Sequence, residues 1–156
     1  MKSTLIRAGA PLALTAAFSA CAPLMVGGMV GGAMVASDRR TSGIQLEDEG
    51  IELKSASRLR EMMGSRGHIN ITSYNRQVLV TGEVPNEQDK DYVAKLVSEV
   101  ENVRLVVNEL VVGPNSSLTD RSTDSLITAK VKGQMVDSKD IFANAYKIVT
   151  ERGVVY

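Results

Sequence analysis

One pattern occurs twice in this chain of 156 residues: apolar positions at helical spacing, followed by a short strand rich in β-branched residues. The helix positions correspond at a constant offset of 76 residues, with Ile51, Ser55 and Leu59 in the first occurrence and Ile127, Val131 and Met135 in the second. The strand residue Ile148 follows Ile71 by 77 residues. Because helix, loop and strand recur in step, the sequence indicates an internal duplication.

The first unit, residues 48–112, has the pattern of a small α+β domain. Apolar spacings of three and four predict a helix whose buried face contains Leu53, Ala56, Leu59 and Met63. Residues 69–73 and 78–83 predict a hairpin, and residues 103–112 predict a third strand. Between them, a second helix begins after the capping residue Asn86. The order helix, strand, strand, helix, strand predicts helices on one face of a sheet.

The second unit, residues 122–156, follows a predicted linker at residues 113–121 that is rich in glycine, proline, asparagine and serine. It repeats the helix, and Glu151-Arg152-Gly153 stands where the first hairpin turns. The sequence reaches residue 156 within the partner strand. We therefore expect only the first half of the same fold here, with a core that is buried less completely than that of the first unit.

Residues 1–20 have the pattern of a secretory signal peptide. A positively charged start precedes an apolar run at residues 8–18, which is too short to cross a bilayer. The run ends at Phe18-Ser19-Ala20-Cys21, which resembles the lipobox of bacterial lipoproteins. This resemblance implies lipidation of Cys21, and Ala22 after it implies sorting to the outer membrane, on the periplasmic face. The alternative is an unmodified cysteine in an ordinary secretory signal.

Residues 21–47 are predicted to connect the lipid to the first unit. Residues 23–36 are uncharged and rich in glycine, alanine, valine and methionine, and they are too few to span the hydrocarbon core. We interpret them as a flexible apolar tether near the membrane surface, with a packed helix as the alternative. The polar residues 37–47 are interpreted as linker.

Three segments carry a resemblance to BON domains: Ile69-Asn70-Ile71-Thr72-Ser73-Tyr74, Val78-Leu79-Val80-Thr81-Gly82 and Val103-Arg104-Leu105-Val106-Val107-Asn108-Glu109-Leu110. The order of lipobox, small-residue tether and two units also resembles BON-domain lipoproteins. The resemblance implies an α+β fold of tandem BON domains, the second one incomplete, that binds phospholipid membranes and does not catalyse a reaction. Gly82 and Asn108 are expected to be structural, Gly82 because it lets the backbone approach the following helix closely.

The balance of charges, the single cysteine and the single histidine argue against several classes of function. The 18 basic residues balance 18 acidic ones, so no global field attracts nucleic acid. The single cysteine excludes an internal disulfide and a multi-cysteine metal site. The only histidine, His68, has no catalytic partners with sequence support and is interpreted as a strand-start residue. No catalytic residue, metal site or cofactor is predicted, and the acidic run Glu47, Asp48, Glu49 and Glu52 is interpreted as a solvated helix start.

The helix of the second unit has a second apolar face. Opposite the inward positions lie Leu126, Ala129, Gly133 and Val136, which we call the outer stripe. Lys130 and Lys132 flank it, one on each side, as suits a helix at a lipid headgroup boundary. Relatives in the family have an aromatic residue where this chain has Leu126. The alternative is that the outer stripe packs against the first unit or is scattered surface exposure.

The sequence thus predicts an outer-membrane lipoprotein that binds anionic phospholipid through the outer stripe and its two lysines and supports envelope integrity. The first alternative is an adaptor that contacts other envelope proteins, such as the outer-membrane assembly machinery. A non-functional truncated product is the second alternative. No nucleic-acid partner is predicted.

Overall fold

The computed structural model describes residues 40–138 and 141–156, which lie in one compact body. The predicted signal peptide, the predicted lipidation site Cys21 and most of the predicted tether fall outside the described residues. The elements are, in chain order, α1 (Ser42–Met63), β1 (His68–Tyr74), β2 (Gln77–Val84), α2 (Glu87–Ser98), β3 (Leu105–Asn108), β4 (Val111–Val112), α3 (Leu118–Asp137), a 3-10 turn (Ala143–Ala145), β5 (Thr150–Glu151) and β6 (Val154–Val155).

The first unit has the predicted order of elements, so the α+β class is confirmed. β1 pairs with β2 in antiparallel register, and β3 and β4 both pair with β2 in parallel register. The parallel pairing requires a crossover connection, which α2 supplies. The helices and the sheet enclose one core, made of Ile51, Leu59, Met63, Val78, Val80, Val84, Val93, Leu96, Val97, Val100 and Leu110.

Helix α1 is longer than the sequence indicates. It begins at Ser42, where the Thr41 hydroxyl caps it by accepting a hydrogen bond from the Ile44 N–H at 3.3 Å. The interpretation of residues 37–47 as linker is therefore wrong for residues 42–47. The predicted buried face is also wrong in part, because Leu53 is 73% exposed while Ile51 and Ser55 are buried.

Asp48 lies within α1 and is buried, so its interpretation as part of a solvated helix start is wrong. Its carboxylate accepts hydrogen bonds at 2.8 Å from the Ser73 hydroxyl and from the backbone N–H groups of Asn75 and Arg76. Asn75 and Arg76 have φ values of 52° and 64°, which leave the two N–H groups without strand partners in the tight hairpin turn. Asp48 thus attaches α1 to the β1–β2 turn.

The predicted third strand is interrupted at Glu109 and Leu110, which separate β3 from β4. Asn108 ends β3, and its side-chain amide donates to the Lys90 carbonyl of α2 at 3.0 Å. Its side-chain oxygen accepts from the Leu110 N–H at 3.2 Å. These two bonds turn Leu110 into the core, where it is 1% exposed.

Gly82 has a φ of 114°, and a Cβ atom built on it would lie 2.0 Å from the His68 carbonyl oxygen. The close approach is therefore made to the neighbouring strand β1, and the expected approach to the following helix is wrong. Only glycine adopts this conformation without strain and without a clash.

Helix α3 begins at Leu118, so the predicted linker at residues 113–121 ends at residue 117. Ser117 and Asp120 form a capping box, in which each side chain accepts from the backbone N–H of the other residue. The hairpin β5–β6 follows it. Among the described residues, no helix is both long enough and apolar enough to cross a membrane.

Candidate functional site

The outer stripe is exposed along α3. Leu126 is 64% exposed and Val136 is 70% exposed, and Ala129 and Gly133 between them are exposed too. The opposite side of α3 is half-buried at Ile127, Val131 and Met135. The outer stripe therefore faces solvent and does not pack against the first unit.

Two lysines and one aspartate border this face. Lys130 and Lys132 are exposed, and neither forms an ion pair with any residue in the described ranges. Asp137 is exposed at the C-terminal end of α3, next to Val136 in sequence. At helical geometry the lysines lie on either side of the stripe, so their ammonium groups can extend past its apolar edges.

The chain on both sides of the outer stripe exposes more apolar surface. Leu118, in the first turn of α3, is 80% exposed. After α3, Ile141 is 43% exposed, Phe142 67% and Tyr146 60%. Tyr146 combines an aromatic ring with a polar hydroxyl, a combination that is favoured at membrane interfaces, so this segment offers aromatic character that position 126 lacks.

Helix α3 is attached to the second hairpin through Asp124, which is 5% exposed. Its carboxylate accepts the backbone N–H groups of Arg152 and Gly153, both at 2.8 Å. The Thr128 hydroxyl adds a hydrogen bond to the Thr150 hydroxyl at 2.7 Å. These contacts fix the inner side of α3 and leave the outer stripe outside.

A polar junction joins the second unit to the first. Glu83 of β2 is fully buried and accepts from the Ser116 N–H at 3.1 Å and from the Arg152 guanidinium at 3.4 Å. Glu151 of β5 is 6% exposed and accepts from the Asn70 amide at 2.6 Å. The packing between the units is thus specified by buried hydrogen bonds rather than by an apolar core.

Two further contacts lie at the other end of β1. The Tyr74 hydroxyl donates to the Ala145 carbonyl at 2.8 Å. The Lys147 ammonium donates to the Ser73 carbonyl at 3.2 Å and forms an ion pair with Glu52. The second unit therefore contacts β1 along its length.

His68 begins β1, as predicted, but it is not isolated from acidic residues. Its Nδ1 lies 3.5 Å from a Glu83 oxygen and 3.7 Å from a Glu151 oxygen. The closeness of His68 to Glu83 could have been predicted from the hairpin, because its register places these two residues opposite each other. Glu151 was not predictable, because it reaches His68 only through the docking of the second unit.

A groove lies between α1 and the edge strand β1. Its volume is about 610 Å³, and Leu53, Ala56, Arg60, Ile69 and Ile71 are among its lining residues. β1 pairs with β2 on one side only within the sheet order β1-β2-β3. The exposed Leu53 gives this groove an apolar wall.

Comparison with known proteins identifies a family. The BON domain model matches residues 47–114. The outer membrane lipoprotein DolP of Haemophilus influenzae is 36% identical over 147 residues, which are 93% of this chain and 76% of that protein. The 21 kDa hemolysin of Actinobacillus pleuropneumoniae is 29% identical over 121 residues, which are 76% of this chain and 62% of that protein.

Proposed function

Since the chain belongs to the BON-domain outer-membrane lipoproteins of the DolP type, we propose that it binds anionic phospholipid through the outer stripe of α3. The observation that carries the proposal is the exposure of Leu126 and Val136 on one face of α3, with Lys130 and Lys132 on its flanks. A lipid interface buries such a face while the lysine side chains reach the phosphate groups.

The expected free energies of burial and of charge attraction indicate that α3 alone binds a lipid surface weakly. Burying Leu126 and Val136 stabilises the bound state by about 1.5–3 kcal/mol for each side chain. Each lysine near an anionic surface contributes about 1 kcal/mol. Ordering the helix on a surface costs part of this sum, so the helix is suited to act on a membrane to which the chain is already attached.

Attachment through a lipid on Cys21, on the periplasmic face of the outer membrane, belongs to the same proposal. The lipid raises the local concentration of α3 at the membrane, so a weak contact becomes effective without further affinity. In this arrangement the protein supports envelope integrity by holding a folded BON domain against anionic phospholipid.

Flotation with liposomes tests the proposal. Residues 22–156, which lack the lipidation cysteine, are mixed with vesicles of phosphatidylglycerol and phosphatidylcholine or of phosphatidylcholine alone. We expect flotation with the anionic vesicles and little with the zwitterionic ones. Equal flotation with both, or none from a sample whose circular dichroism shows it folded, would contradict the proposal.

An adaptor role is the second candidate, and the groove between α1 and β1 favours it. An apolar segment of another envelope protein can place its side chains in this groove, beside the exposed Leu53. Photo-crosslinking from position 53 in cells tests this role, with position 126 as the comparison. A protein partner captured from 53 but not from 126 supports the adaptor, and no partner from either position argues against it.

A further inference from the structure

Three potential metal ligands converge at the junction of the two units. His68 and Glu83 lie opposite each other on β1 and β2, and Glu151 comes from β5. One atom from each of the three side chains lies within 4.8 Å of the others. We propose that His68, Glu83 and Glu151 form a binding site for a divalent transition-metal ion of the Zn²⁺ class. The proposal does not depend on lipid binding.

The separations fit metal ligands better than hydrogen-bond partners. His68 Nδ1 lies 3.5 Å from Glu83 Oε2 and 3.7 Å from Glu151 Oε1. A hydrogen bond between a ring nitrogen and a carboxylate is about 2.7–3.2 Å long. Two ligands on a tetrahedral zinc ion, with bonds of about 2.0–2.1 Å, lie about 3.4 Å apart. The two distances from His68 are therefore close to those between ligands of a tetrahedral zinc ion.

One atom at the centre of the cluster, the ring nitrogen Nδ1 of His68, has no hydrogen-bond partner among the described residues, and two buried carboxyl groups lie beside it. This nitrogen is inaccessible to solvent. Glu83 is 0% and Glu151 is 6% exposed. Arg152 lies 3.4 Å from Glu83, and within the described residues no lysine or arginine forms an ion pair with Glu151. A bound dication would accept the histidine lone pair and compensate the second carboxylate.

Neighbouring side chains hold the three ligands in place, and a cleft lies beside them. Asn70 donates to the other oxygen of Glu151 at 2.6 Å, and the Ser116 hydroxyl donates at 3.2 Å to Oε2 of Glu83, the oxygen that faces His68. Such outer-shell hydrogen bonds orient metal ligands. A cleft of about 350 Å³, lined by His68 and Glu151 among others, reaches the cluster. It offers space beside the cluster for an entering ion and for a water as fourth ligand.

The ligand set also selects the ion. One imidazole and two carboxylates suit zinc, whereas Mg²⁺ and Ca²⁺ take oxygen ligands. Because two ligands come from the first hairpin and one from the second, the ion would join the two units. Zinc occupancy is therefore expected to protect the second hairpin from opening.

Zinc titration of the detergent-solubilised full chain, purified without a histidine tag, tests the proposal. We expect one Zn²⁺ per chain by competition with a chromogenic chelator, and no competition from Mg²⁺. His68→Gln and Glu151→Gln should each weaken zinc binding by more than about 100-fold, beyond the loss usual for an outer-shell ligand. Glu101→Gln, on an exposed residue far from the cluster, is the matched control and should bind as wild type does.

Two results of the zinc titration would overturn the proposed site. Failure to bind one zinc, or binding that survives His68→Gln in a chain with unchanged circular dichroism, would overturn the site. Trypsin cleavage after Arg152, in the exposed β5–β6 turn, needs no variant. Zinc is expected to slow this cleavage in the wild-type chain, and an unchanged rate at saturating zinc would contradict a site that joins β5 to β1.

Discussion

Asp48 and Asp124 occupy the same place in two helix–hairpin arrangements, since each carboxylate accepts the N–H groups of two consecutive turn residues at 2.8 Å. The turns also share a left-handed backbone, with φ values of 52° and 64° at Asn75 and Arg76 and of 52° and 75° at Arg152 and Gly153. A charged acceptor is suited to this place because two backbone donors converge on one buried carboxylate. The repeated sequence pattern thus has a repeated structural counterpart.

Asp48→Asn is expected to lower the free energy of unfolding by about 2–3 kcal/mol near neutral pH, because an amide offers one acceptor oxygen to four converging donors. Burial by itself would raise the pKa of Asp48, but hydrogen bonds from Arg76, Ser73 and Asn75 and the contact with Arg40 outweigh it. The pKa of the folded carboxyl is therefore lower than its ordinary value.

The stability difference between wild type and Asp48→Asn depends on pH, because the pKa of Asp48 is lower in the folded chain than in the unfolded one. With the folded pKa below the unfolded value of about 3.9, the stabilisation by the carboxylate is complete above about pH 4 and is lost as the pH falls through the folded pKa. Urea unfolding at several pH values should show wild type and Asp48→Asn converging in acid. A stability difference that stays constant into strong acid would contradict this account.

Gly82→Ala and Gly133→Ala are expected to have opposite effects. At Gly82 the new methyl would meet the His68 carbonyl at 2.0 Å with φ at 114°, so we expect a loss of about 3 kcal/mol or more. At Gly133, in α3, nothing lies within 4 Å, so alanine should stabilise the helix by about 1 kcal/mol. Urea midpoints of the two variants measure this, and a tolerated Gly82→Ala would contradict the described backbone approach.

The double variant Lys130→Gln with Lys132→Gln, which removes both positive charges, is expected to bind anionic vesicles more weakly by about 2 kcal/mol, or roughly 30-fold. The matched control is Lys54→Gln with Lys95→Gln, which removes the same charge from α1 and α2. Asp137→Asn removes an anion at the end of α3 and should strengthen binding. Equal losses in both double variants would show that net charge matters and that the location of the lysines does not.

The sequence predicts the elements of the first unit better than it predicts their buried polar contacts. Periodicity located both helices and the hairpin, because apolar spacing reflects which face is buried. It misplaced the start of α1 because residues 42–47 are mostly polar and look like linker until the Thr41 cap is seen. It also assigned Leu53 to the core, where the small polar Ser55 lies instead.

At the candidate site too, the sequence predicts the exposed apolar face better than the buried polar contacts. The outer stripe was predictable, since helical spacing alone separates it from the inward face of α3. In the sequence, Asp48 looks like a solvated acid and Glu83 like the last residue of a strand, and their roles depend on turn amides and on a second unit brought near by folding. The junction at Glu151 involves residues too distant in the chain for any local pattern to pair them.

An environment-sensitive fluorophore on α3 tests the central claim most directly. The dye is attached to a cysteine at position 129, in the outer stripe, or at the exposed position 53 on α1, in a protein without Cys21. With phosphatidylglycerol vesicles we expect brighter, blue-shifted emission from position 129 and no change from position 53. Emission at 129 that stays as in water, or that changes no more than at 53, would contradict lipid binding through the outer stripe.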